Sequence, residues 1–292
     1  MVAVTMMSSS ALECAEGWAY EFQGGSYLRG SRIDSGAKQT INFLHGNGFC
    51  SKAYWPLLKA FSPKYNLFLQ DAVGHGDSDA SDGFVSWQSS ADDAVNVLHN
   101  ECGDKTSLIG MGHSFGGILT LLMEAKNPGL FSKIVLLDPI LLPQQIIEMS
   151  ASMPNPMVAK TRTRLNSWES RQHALDYFRS KSVYKNWTDE SLEGFVDHAL
   201  RRVDGGELSL KCPPDVEADI FQSGPDGLWS AIEQVNVDVH IIYGAQSYPF
   251  IEGSCEKAKS LNKRISLEKI QGSHCFMMEN PVEASIRVLD GL

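Results

Sequence analysis

The chain has 292 residues, 43% of them apolar and 21% charged, enough to bury a sizeable core in one large domain or two smaller ones. Its formal charge of −10 disfavours nucleic acid as a partner, because binding to that polyanion draws on clustered Lys and Arg. No stretch approaches the run of about 20 apolar residues needed to span a bilayer.

The start, Met1 to Leu12, has no basic n-region and no long apolar core, so it is expected to be a disordered or peripheral tail rather than a signal peptide. Six scattered cysteines (Cys14, Cys50, Cys102, Cys212, Cys255 and Cys275) include no C-x-x-C pair. They are expected to be free thiols of a cytoplasmic protein. Neither a structural metal nor a cofactor is expected, since no closely spaced ligand pair appears.

Glu16 to Gln23 and Ser26 to Ile33 read as two strands of a hairpin across Gly24-Gly25. Thr40 to Leu44 reads as a buried strand that ends in His45-Gly46-Asn47-Gly48, where two glycines signal a sharp turn or a close approach of backbone. A short helix over Ala53 to Phe61, a strand over Asn66 to Gln70 and a helix from about Ser86 to Asn100 follow.

Next come Leu108, Ile109 and Met111, an apolar run that meets Gly112-His113-Ser114-Phe115-Gly116 and then a helix with Ile118, Leu119, Leu122 and Met123 on one side. Strand, G-x-S-x-G, helix is the context of a serine nucleophile on a sharp turn. Lys133 to Leu137 is a further strand, stopped by Asp138-Pro139. From Ile140 to about Asn236 clear strands vanish, and helices are expected at Gln144 to Met153, Ser167 to Ser180 and Thr188 to Arg202. Alternation resumes with strand Val239 to Tyr243, a helix near Glu252 to Leu261, strand Ile265 to Ile270 and a helix after Pro281. Alternation of this kind predicts an α/β fold with a mostly parallel sheet and helices on both faces. The expected division is a core of residues 1–139 and 237–292 with a helical insertion at 140–236.

Serine is a weak nucleophile at neutral pH and needs a base with a third group to orient it. Of the eight histidines, His274 in Gly272-Ser273-His274 follows the last strand at the carboxyl edge of the sheet, where sites form. His45, His75 and His113 sit in glycine-bounded turns and are expected to be structural.

Taken together, His45-Gly46-Asn47-Gly48, Asp71 to Ser78, the Ser114 turn, Leu136-Leu137-Asp138-Pro139 and Gly272-Ser273-His274 with Glu279-Asn280-Pro281 resemble the α/β-hydrolase fold superfamily, in its serine branch with a helical cap. The resemblance runs from about residue 40 to the end, outside the insertion. It implies a nucleophile, an acid and a histidine in that chain order. The chain departs from the commonest pattern at the acid: Ala245-Gln246-Ser247-Tyr248-Pro249-Phe250 holds no carboxylate. Some members carry the acid after the preceding strand, which here points to Asp138, with Glu252 in reserve and a triad lacking a carboxylate as the remaining alternative. By the same resemblance the oxyanion donors are the N–H groups of Asn47 and Phe115.

The expected activity is hydrolysis of hydrophobic carboxylic esters through an acyl-enzyme, with Trp168, Tyr248 and Phe250 against the substrate. The serine excludes the branches that use an aspartate nucleophile. Two alternatives stay open. One is carbon–carbon hydrolysis or acyl transfer by the same residues; the other is a non-catalytic ligand-binding protein, supported only by the missing acid after Tyr243. The fold does not choose among them.

Overall fold

The computed structural model describes residues 10–80, 83–102, 107–150, 153 and 155–292; most of the expected N-terminal tail lies outside them. Its strands are β1 (Glu16–Gln23), β2 (Ser26–Ile33), β3 (Gln39–Leu44), β4 (Asn66–Gln70), β5 (Ser107–His113), β6 (Lys133–Leu137), β7 (Ser167–Trp168), β8 (Leu200–Arg202), β9 (Leu208–Leu210), β10 (Val239–Gly244) and β11 (Ile265–Ile270). Eight of them form one sheet in the order β1-β2-β4-β3-β5-β6-β10-β11. The pairs β1–β2 and β2–β4 are antiparallel, and every pair from β4 to β11 is parallel.

The parallel strands are apolar on both faces because both faces are covered. Leu108, Ile134, Leu136 and Ile241 enter one core, against Trp87–Glu101, Phe115–Lys126, Leu228–Gln234 and Ile251–Leu261. Ile109, Met111, Val135, Leu137 and Ile242 enter the other, with Leu57, Leu58, Ala284 and Val288 of the helices Trp55–Leu58 and Pro281–Gly291. Each such side chain contributes about 1.5–3 kcal/mol when fully buried. The helix Trp87–Glu101 shows the local logic. Ser86 caps it by accepting the Ser89 N–H, and Ala91, Ala94, Val95 and Leu98 recur at helical spacing on the buried side.

The inserted segment departs from the sequence reading. Where no strand is expected, β7, β9 and β8 form a three-stranded antiparallel sheet. The helix expected from Ser167 begins at Arg171, capped by Ser170, and the helix from Thr188 ends at Ala199 before Leu200–Arg202 pairs with β9. Strands of two or three residues are too short to display a period of two, so pairing, not pattern, decides them. The helix expected over Gln144 to Met153 spans Gln144–Ser150, and residues 151 and 152 lie outside the described set. Lys211 of the insertion bonds Asp77 at 2.6 Å, beyond the end of β4.

Candidate active site

Ser114 closes β5 and opens the helix Phe115–Lys126 with φ 51° and ψ −112°, a strained conformation for a side-chain-bearing residue. Glycines make the bend feasible: a Cβ on Gly112 would strike the Gly116 backbone, and one on Gly116 would strike the Leu44 carbonyl. The Ser114 N–H donates to Leu137 O at 3.1 Å, which ties the turn to the neighbouring strand.

His274 lies in the loop after β11, held by Glu279, whose carboxylate accepts the Ser273 N–H at 2.9 Å and the Ser273 hydroxyl at 2.7 Å. Its Nε2 is 2.9 Å from Ser114 Oγ, and its Nδ1 is 2.8 Å from Asp138 Oδ1. With Nδ1–H donating to the carboxylate, Nε2 is left to accept the serine proton. Asp138 is fully buried, at φ 43°, just past β6. Its Oδ2 accepts the Gly244 N–H at 2.7 Å and its Oδ1 accepts the Ser247 hydroxyl at 2.5 Å. The sheet register explains the meeting: Leu137 pairs with Ile242, so Asp138, one residue past β6, comes level with the last residues of β10 and the loop that leaves it. Glu252 is elsewhere, exposed and bonded to Lys269 at 2.5 Å.

The loop His45-Gly46-Asn47 abuts the start of the nucleophile helix, where the Gly116 N–H donates to His45 O at 3.1 Å. The N–H groups of Asn47 and Phe115 find no protein acceptor among the described residues and remain available to an oxyanion. The Asn47 side chain donates to Glu217 O at 3.0 Å. His45 and His75 brace this region: His45 Nε2 accepts the Ala72 N–H and His75 Nε2 accepts the Gly48 N–H, each at 3.0 Å. Burial and the nearby His45 hold His75 down at about 3, so it stays neutral as an acceptor.

Tyr248 stands beside His274, the two rings 4.9 Å apart, and Phe250 stacks on Tyr248 at 5.7 Å. Trp168 is not brought to this group. It is buried in the insertion against Tyr177 and Phe178, where its rigid ring serves the packing of a small sheet. Phe49 and Trp187 come closer than sequence reasoning foresaw. Phe49 meets His113 edge-on at 6.1 Å and stacks on Trp187 at 5.7 Å, so the insertion lays an aromatic wall beside the turn. Position 49, directly after the glycine loop, was the available signal. Arg164 and Glu217 of the insertion form an ion pair with one hydrogen bond, Arg164 Nη1 donating to Glu217 Oε1 at 3.1 Å, and the Glu217 carboxyl lies against Gly48. Burial lifts Glu217 to about 7 despite the arginine. Among the described residues no cluster of His, Cys, Asp or Glu is arranged to hold a metal, and no helix is long and apolar enough to cross a membrane.

A sequence model described as "Alpha/beta hydrolase family" matches residues 43–288. The peroxisomal membrane protein LPX1 of Saccharomyces cerevisiae is 24% identical over 206 residues, which is 61% of this chain and 53% of that protein. The aligned region therefore spans about half the yeast protein's length, and the (E)-2-((N-methylformamido)methylene)succinate hydrolase of Acinetobacter baylyi is covered to only 40%. A serine hydrolase-like protein of Danio rerio is 22% identical over 278 residues, covering 91% of this chain and 85% of that protein. The crystal structure of yeast Lpx1 superposes with a TM-score of 0.77 at 19% identity, covering 95% of this chain and 87% of that one.

Proposed function

The chain belongs to the alpha/beta hydrolase family, and within it we propose a serine hydrolase that cleaves hydrophobic carboxylic esters or thioesters. What carries this reading is the unbroken chain from Ser114 Oγ to His274 Nε2 at 2.9 Å and from His274 Nδ1 to Asp138 at 2.8 Å. The Danio rerio relative, a serine hydrolase-like protein, points the same way.

In the proposed reaction Ser114 Oγ attacks the acyl carbonyl while His274 Nε2 takes its proton. Asp138 orients the ring and stabilises the imidazolium that forms. Negative charge developing on the carbonyl oxygen meets the N–H groups of Asn47 and Phe115. Donors already in place cost no reorganisation, and each is typically worth about 3 kcal/mol. His274 then hands its proton to the departing alcohol or thiol, and water resolves the acyl-enzyme by the same route in reverse.

Segment 140–236 acts as the cap in this reading, with Phe49, Trp187 and Tyr248 as apolar walls suited to a hydrophobic small molecule. Among the described residues Cys14, Cys50, Cys212, Cys255 and Cys275 form no disulfide, which fits a reducing compartment and supports a place in the cytoplasm. An active-site phosphonate, followed by mass spectrometry, tests the mechanism. We expect stoichiometric labelling at Ser114, none in Ser114→Ala, and turnover of a p-nitrophenyl ester series. Folded protein that takes no label overturns the reading, and labelled protein that cleaves a carbon–carbon substrate in preference to every ester overturns the substrate class.

A further inference from the structure

The proposed chemistry needs three segments in register: the oxyanion loop at Gly46-Asn47, the turn at His113-Ser114 and the loop carrying His274. They are far apart in sequence, yet one buried chain of hydrogen bonds joins them. The Gly46 N–H donates to Tyr54 Oη at 3.1 Å, Tyr54 Oη lies 2.6 Å from His113 Nδ1, and His113 Nε2 lies 2.9 Å from His274 O. Neither Tyr54 nor His113 takes part in the reaction described above.

One proton arrangement satisfies this chain. A carbonyl oxygen only accepts, so His113 must carry its proton on Nε2 and donate it to His274 O. The neutral ring then has Nδ1 as an acceptor, which obliges the Tyr54 hydroxyl to donate to it while accepting from Gly46. Both side chains are wholly buried. Burial, then the charge that His274 acquires, hold His113 well below the ordinary histidine range, and burial pushes Tyr54 well above the ordinary tyrosine range. The relay therefore keeps its neutral form around neutral pH. Its packing leaves no slack either: a Cβ on Gly46 would sit 2.7 Å from His113 Nδ1, and the His113 and His274 rings are 4.8 Å apart.

We propose that Tyr54 is a positioning residue, whose hydroxyl bridges the Gly46 N–H to Nδ1 of the Nε2–H tautomer of His113 and thereby sets the spacing between the oxyanion loop and the base loop. The proposal rests on Ser114 being the nucleophile. Tyr54→Phe removes the hydroxyl and keeps the ring that packs on Phe43 and Phe49. It leaves the Gly46 N–H and His113 Nδ1 without partners.

The test combines steady-state kinetics, normalised to phosphonate-titrated serine, with 15N NMR of the histidine rings. Wild-type His113 is expected as the single Nε2–H tautomer. In Tyr54→Phe we expect kcat per titrated site to fall about 10- to 100-fold with KM within about twofold, as sub-ångström misplacement of reacting groups predicts. A variant that titrates fully and keeps its kcat overturns the positioning role and leaves the hydrolase reading standing. Failure of the wild-type protein to titrate sinks both. An Nδ1–H tautomer at His113 in the wild type overturns the relay, whether or not any variant folds.

Discussion

Two buried carboxylates lie near the candidate site, Asp138 at a strand end of the sheet and Glu217 on the inserted segment. Asp138 meets three donors, from Gly244, Ser247 and His274, all set by strand ends or the loops that leave them. Glu217 meets one arginine, and burial outweighs that partner, lifting the group to about 7. The two carboxylates are therefore held in different ways. Directed backbone and hydroxyl donors let a carboxylate serve a neighbour, whereas a lone long side chain leaves it close to giving up its charge.

The largest effect expected to sharpen this contrast is at Asp138. Asp138→Asn should lower kcat by about 10⁴-fold with the fold intact, because the amide favours the wrong tautomer of His274; circular dichroism and kinetics check both halves. If activity survives there and Glu252→Gln is inactive, the acid is misassigned.

Glu217 comes next, as an effect on stability. Its folded pKa, about 7, exceeds the usual 4.5, so the folded state holds the proton more tightly than the unfolded chain. That contribution is complete below about 4.5 and is lost as pH rises through about 7. Compared with Glu217→Gln, the wild type should lose on the order of 3 kcal/mol between those limits, read from urea denaturation at pH 4.5 and 8. A difference that does not move with pH would remove the contrast.

Ser247→Ala takes away one of three donors to Asp138 and should cost about 10-fold in kcat with little change in KM, the scale of one hydrogen bond to a charged group. Glu252→Gln should change neither activity nor stability measurably, since its bond to Lys269 is exposed.

The sheet was readable from sequence because its strands are continuous apolar runs such as Leu108 to Met111, and the order of glycine-bounded loops after them carried the family. Asp138 was legible as the first choice of acid, with Glu252 in reserve. What singles it out is pairing between β6 and β10, a long-range register that a linear reading does not contain. Ser247 lies in the segment after β10 that holds no carboxylate, yet its bond to Asp138 appears only in three dimensions. The insertion was least legible. Its strands are two or three residues long, and Trp168 reads the same from sequence whether it faces a substrate or, as here, Tyr177 and Phe178.

The bond from the Asn47 amide to the Glu217 carbonyl, with Gly48 leaving no room beneath the same residue, makes the insertion part of the oxyanion loop's foundation. In the proposed reaction, selectivity and reactivity would thus not be independent settings. A chimera that grafts another family member's insertion onto this sheet would exchange more than a binding pocket; it would unfasten the loop that presents Asn47. Engineering for a new acyl group is better begun from the side of Tyr248 and Phe250, on the loop after β10, where the walls can change while that fastening stays.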